Sequence, residues 1–164
     1  MKKSFTKLFL IGLLSVLLFG CAAGPQLSQM QIRQLTTKMI DGTYENVFRA
    51  TMTILQDQGY VIKNTDMNSG LIVANIDRET SGGSQFFQAL LVGSVYDKNT
   101  VIEVSATVNK LNEQTQEIRL NIQETNYSGG GAKQNIKQIY DEQVYQKLFN
   151  DITLEVKRRE AMNK

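Results

Sequence analysis

The chain has no histidine and a single cysteine, Cys21, so the side chains able to do chemistry are few and can be taken in turn. Without an imidazole there is no Ser-His-Asp or Cys-His nucleophile pair and no histidine-bearing zinc site. Carboxylates remain. Asp66, Asp77 and Glu79 fall in one short stretch, and two carboxyl groups held together can divide acid and base work between them. The plainer reading of the three is turn capping and solvated strand ends. Asp66-Met67-Asn68-Ser69-Gly70 invites comparison with a calcium loop, yet its glycine stands fifth where the sixth position is required. The apolar Leu71-Ile72-Val73-Ala74 then leaves too few oxygen ligands. Gly129-Gly130-Gly131 lacks the Gly-Lys-Ser/Thr ending of a phosphate-binding loop. No catalytic residue, metal ligand or cofactor is assigned on these grounds.

Cys21 is set apart by what precedes it. Lys2, Lys3 and Lys7 make a basic start, residues 8–19 are almost wholly apolar, and Gly20, Ala22 and Ala23 surround the thiol, which together read as a secretory leader. Twelve apolar residues are too few for a membrane span, which takes about 18–20. Leu18-Phe19-Gly20-Cys21 resembles the bacterial lipobox. The resemblance implies diacylglyceryl transfer to the Cys21 thiol, cleavage just before it and, often, acylation of the new amine, with palmitate as the expected acyl group. One acyl chain binds a membrane marginally and two bind stably, so lipidation of Cys21 would turn a soluble domain into an anchored one. The alternative is an ordinary cleavable leader with an incidental cysteine. Ala22, rather than Asp, after the cysteine implies the periplasmic side of the outer membrane if the source has two membranes.

Charge is therefore read from Cys21 onward. The leader removes three of the 18 basic residues and none of the 16 acidic ones, changing the net charge from +2 to 15 − 16 = −1. Nucleic acid is not an expected partner, since that would call for a basic stripe. The 144 residues that remain suit one domain with its own core, and with no second thiol that core must hold without disulfides.

The elements follow from periodicity. Residues 1–20 are the leader and 21–30 a short tether, after which residues 31–164 form a single α+β domain. Alternation over 31–40 predicts a first strand. Asp41-Gly42-Thr43 turns the chain into a helix whose apolar face is Tyr44, Val47, Phe48, Thr51, Ile54 and Leu55, with Thr43 as its cap and Gly59 as its stop. Residues 60–65 and 71–80 make a hairpin around the 66–70 turn. Ser81-Gly82-Gly83-Ser84 is a hinge leading to the apolar run Phe86–Tyr96, where Phe86 and Phe87 are the candidate contact surface and closure of the core is the plainer alternative. Residues 100–111 and 117–126 alternate cleanly and pair through 112–115, so their sheet has one covered and one wet face. A loop over 127–135, a short extended piece at 136–140 and a helix capped by Asp141 complete the chain, with Lys157, Arg158 and Arg159 in the last helical turn. The fold class is α+β: an antiparallel sheet with two helices on one face, in the order β-α-β-β-β-β-α.

These residues also carry a wider resemblance. Tyr44-x-x-Val47-Phe48-x-Ala50, Leu55-x-Asp57-x-Gly59-Tyr60-x-Ile62, Ser69-Gly70-Leu71-Ile72 and Ile139-Tyr140-Asp141-x-x-x-Tyr145-x-x-x-Phe149 look like a group of small uncharacterised bacterial envelope lipoproteins. The element order is similar, more distantly, to the helix-grip domains of the C lipoprotein of the outer-membrane barrel-assembly machinery. Those motifs are core apolars, turn glycines and caps, so the resemblance implies a fold and a compartment without a chemistry. The expected role is a non-catalytic accessory or scaffold module of the cell envelope, with the membrane as partner through lipidated Cys21 and an envelope protein as a further partner. A small-ligand or lipid carrier, using a cleft between the sheet and the C-terminal helix, is the first alternative, and a carboxylate-dependent hydrolase the second.

Overall fold

A computed structural model describes residues 27–77 and 100–162. In chain order they form helix α1 (Gln29–Thr36), strand β1 (Thr37–Asp41), helix α2 (Tyr44–Asp57), strands β2 (Val61–Asp66), β3 (Leu71–Asp77), β4 (Thr100–Lys110), β5 (Thr115–Tyr127) and β6 (Lys133–Gln138), and helix α3 (Glu142–Met162). The fold class is α+β with an antiparallel six-stranded sheet. The strands run β1-β5-β4-β3-β2, with β6 also paired to β5.

Two elements depart from the expected order. The strand expected over 31–40 is a helix up to Thr36 and a strand only from Thr37, so α1 begins inside the stretch expected to be tether. Ser28 and Gln31 fix this start as a reciprocal cap: the Ser28 hydroxyl accepts from the Gln31 amide at 3.3 Å, and the Gln31 side chain accepts from the Ser28 amide at 2.8 Å. At the other end, the loop expected over 127–135 is shorter, because β5 continues through Tyr127 and β6 already begins at Lys133.

The sheet core follows from strand alternation. Ile72, Ala74 and Ile76 on β3 stand beside Ala106, Val104 and Ile102 on β4, and the latter continue to Leu120 and Ile122 on β5. All are buried on one face. Both long helices pack on that face and on each other, α2 through Val47, Phe48, Ala50, Thr51 and Leu55, and α3 through Val144, Tyr145, Leu148, Phe149, Ile152 and Val156. Helix α2 starts at Thr43, whose hydroxyl accepts from the Asn46 amide. It ends in a Schellman pair, the Tyr60 amide donating to Leu55 O at 3.0 Å and the Gly59 amide to Gln56 O at 2.9 Å.

Polar contacts fix how the helices lie together. Glu155, on the buried side of α3, accepts two hydrogen bonds from Arg158 at 2.6 Å and one from Arg159 at 2.8 Å, and Arg159 donates onward to the Thr53 hydroxyl of α2 at 2.8 Å. The Arg158 hydrogen bond is the main reason the Glu155 carboxyl is held below its ordinary range, burial acting in the opposite sense. A turn further on, Glu160 accepts from the Thr43 amide and the Asn46 side chain, both at 3.0 Å, placing a carboxylate at the positive end of α2. α3 thus runs a turn beyond the expected end, and of the three terminal cations only Arg159 lies in its last turn.

Candidate functional site

Cys21, Phe86 and Phe87, the sites expected from sequence, lie outside the described residues, as does Glu79. The two positions of that stretch that are described, Asp66 and Asp77, stand far apart along the backbone. Asp66 faces Leu71 at one end of the β2–β3 ladder, and Asp77 ends β3 at the other, about 20 Å away at the usual strand rise of roughly 3.3 Å per residue. Asp66 does the work of a turn residue: its carboxylate accepts from the Asn68 amide at 2.9 Å, and hydrogen bonds from Ser69 and then Asn68 hold its pKa down. Among the described residues no three Asp, Glu, Cys or His side chains cluster as metal ligands would. No helix among them is long and apolar enough to cross a membrane.

The space between the sheet and α3, where a cleft was expected, is filled by Val144, Tyr145, Leu148, Ile152 and Val156, all 3% exposed or less. Burial pushes the Tyr145 phenol up to about 12, and its hydroxyl donates to Ile139 O at 3.1 Å. Burial raises Tyr60 further still.

An open concavity lies elsewhere, between α1 and the first turns of α3. It is a groove of about 700 Å³ whose walls include Leu27, Leu35, Lys38, Tyr140 and Phe149. Lys38 crosses it, donating to Asn150 Oδ1 at 3.1 Å and standing 6.0 Å above the Phe149 ring centre, within range of a cation–π contact. The groove exists because β1 and β6 share one edge of β5: β1 pairs with residues 115–119 and β6 with residues 123–127. The chain enters this edge through α1 and leaves it through Ile139, whose amide donates to Ile122 O at 2.9 Å. Sequence periodicity missed α1 and with it the groove, although Ser28-x-x-Gln31 is a legible cap.

No protein-family model matches the chain, and neither does any curated protein. Among solved structures the chain is similar to the adenylate sensor from AMP-activated protein kinase in complex with 5-aminoimidazole-4-carboxamide 1-beta-D-ribofuranotide. The TM-score is 0.39 at 10% identity, over 73% of this chain and 93% of that one, a likeness too slight to bear on function.

Proposed function

We propose that the protein is a lipid-anchored component of the cell envelope, held through Cys21 and acting as an accessory or scaffold module through protein contacts rather than by catalysis. In a source with two membranes it sits on the periplasmic side of the outer membrane. The observation that carries this reading is the Leu18-Phe19-Gly20-Cys21 tetrad behind a basic start and a twelve-residue apolar run. The fold supports it: a packed domain starts its first helix at Gln29, a few residues after the anchor point. Separation of Asp66 from Asp77 weighs against paired-carboxylate hydrolysis. Kinship with small envelope lipoproteins, and with the helix-grip modules, belongs to the same proposal.

The test is fatty-acid labelling with membrane fractionation of the wild type and Cys21→Ser. Label and membrane association should both be lost in the variant; equal labelling refutes the anchor. Crosslinking in intact envelopes then addresses the role, discrete protein partners being the expected result. The groove between α1 and α3 favours one second reading, a carrier of small ligands or lipid, which would instead co-purify lipid without partners.

A further inference from the structure

We infer that the β1–β6 edge of the sheet, together with α1, is a docking surface for a bilayer bearing anionic headgroups. The inference rests on the Cys21 anchor proposed above and adds the face that the anchored domain presents to the membrane.

Three observations converge on this edge. The first is where the apolar tips are. Of the ten large hydrophobic side chains exposed among the described residues, Leu27, Met30, Met39, Ile136 and Tyr140 belong to α1, β1, β6 and the residues flanking them. β2, the opposite edge, and its flanks contribute two, Val61 and Met67. Met39 and Ile136 are 67% and 53% exposed, although the strands that carry them pair with the same strand.

The second is charge. Residues 27–40 contain Arg33 and Lys38 and no acid, and residues 125–140 contain Lys133 and Lys137 and no acid. Only the topology brings these distant segments to one edge. Arg33, Lys133 and Lys137 are exposed and make no ion pair among the described residues. Two exposed carboxylates stand at the edge itself, Asp41 as the last residue of β1 and Glu142 in the groove wall beside Tyr140, and the other carboxylates nearby are occupied or buried. Asp41 and Asp141 close the two segments, Asp141 occupied in capping α3; Glu117 lies opposite Met39 and accepts from Asn109; Glu124 is buried.

The third is reach. Five residues lie between Cys21 and Leu27, and six steps of at most about 3.6 Å hold Leu27, two residues before α1, within roughly 22 Å of the anchored cysteine. A cation near an anionic leaflet is attracted to it, and apolar tips entering the headgroup region add to the binding. Apolar tips interspersed with unpaired cations, on a tether of that length, match an anionic lipid surface better than they match a protein of the same positive edge.

The experiment uses the lipidated full chain in phosphatidylcholine vesicles with and without phosphatidylglycerol. Lipidation of Cys21 leaves the cysteine of an Ile136→Cys variant as the free thiol for an environment-sensitive dye, and Val61→Cys places the same dye on the opposite edge. A blue shift is expected at position 136 but not at 61, only with phosphatidylglycerol. It should fall several-fold at high salt, because the screening length shrinks from about 10 Å at 0.1 M to about 3 Å at 1 M. Arg33→Glu with Lys133→Glu and Lys137→Glu should abolish it while fatty-acid incorporation persists. Equal shifts at both positions, no shift at 136 in a chain that carries its fatty acid, or a shift that follows protein density instead of lipid charge and so reports a second copy, would each overturn the inference and leave the anchor standing. A chain with no fatty acid incorporated overturns both.

Discussion

Gly70 lies where the β2–β3 turn meets β4, and replacing it with alanine separates two costs that usually come together. Its φ is +73°, and a Cβ there would fall 2.0 Å from Val108 O and 3.0 Å from the Tyr44 hydroxyl. Neither neighbour gives easily: Val108 is held opposite Ile118 in the β4–β5 ladder, its amide donates to Gly70 O at 2.9 Å, and the Tyr44 hydroxyl donates to Met67 O at 2.6 Å. The left-handed backbone costs a non-glycine residue about 1–2 kcal/mol, and overpacking adds about 1–3 kcal/mol. A loss of about 3–5 kcal/mol is therefore expected once the strained Val108 hydrogen bond is included. Gly131 supplies the internal control, for it has a similar φ of +80° and nothing within 4 Å of its would-be Cβ. Gly131→Ala should pay the backbone cost alone, about 1–2 kcal/mol. Urea unfolding of both variants and wild type, with the free energy extrapolated to water, reads the difference. Equal losses would refute the close approach of the turn to β4.

Three further outcomes test the packing and its ionisation. Leu55→Ala, at a fully buried position of α2, should cost about 2–5 kcal/mol, while Arg49→Ala, whose partner Glu45 is as exposed as itself, should stay within about 0.5 kcal/mol; similar urea midpoints would mean that α2 is not docked. Because the folded state depresses the Glu155 pKa, its contribution is complete above the ordinary value of 4.5 and is lost as the pH falls through the folded pKa. Glu155→Gln should therefore be less stable than wild type at neutral pH with a flatter acid limb, and parallel profiles of denaturation midpoint against pH would refute this. Tyr145 is an acid with a raised folded pKa, so its stabilisation is complete below 10.0 and is lost as the pH rises towards about 12. Phenolate absorbance of Tyr145→Phe should lack a late-titrating component present in wild type, and superimposable alkaline titrations would contradict its burial.

What could be read in the sequence was what side chains alone decide. Helix α2 was legible because Val47, Phe48, Thr51 and Leu55 keep a 3.6-residue stripe between two caps, and β4 and β5 because one face of each is buried and the other wet. The 31–36 stretch misled because Ile32, Gln34 and Thr36 were set against Arg33 and Leu35 as the two faces of a strand continuing to Ile40, while Ile32, Leu35 and Thr36, partly buried or buried in the fold, have helical spacing; the cap at Ser28 and Gln31 decides for the helix. β6 gave little signal because Lys133–Lys137 are exposed and the strand is held by its backbone ladder to β5. The cationic edge was invisible to any local pattern, since it is made by pairing residues 37–41 and 133–138 with the same distant strand.

Helix α1 is also a store of chain length. Its eight residues span about 12 Å as a helix at 1.5 Å per residue and about 27 Å when extended at roughly 3.4 Å per residue. Undoing the Ser28–Gln31 cap therefore releases about 15 Å of slack without breaking a strand pair. A pull on the amino-terminal side of Leu27 is taken up by this helix before it reaches Thr37 and the β1–β5 ladder. If the chain is anchored at Cys21 as proposed, unwinding α1 would therefore lengthen by about 15 Å the distance at which the folded sheet can work from its anchor.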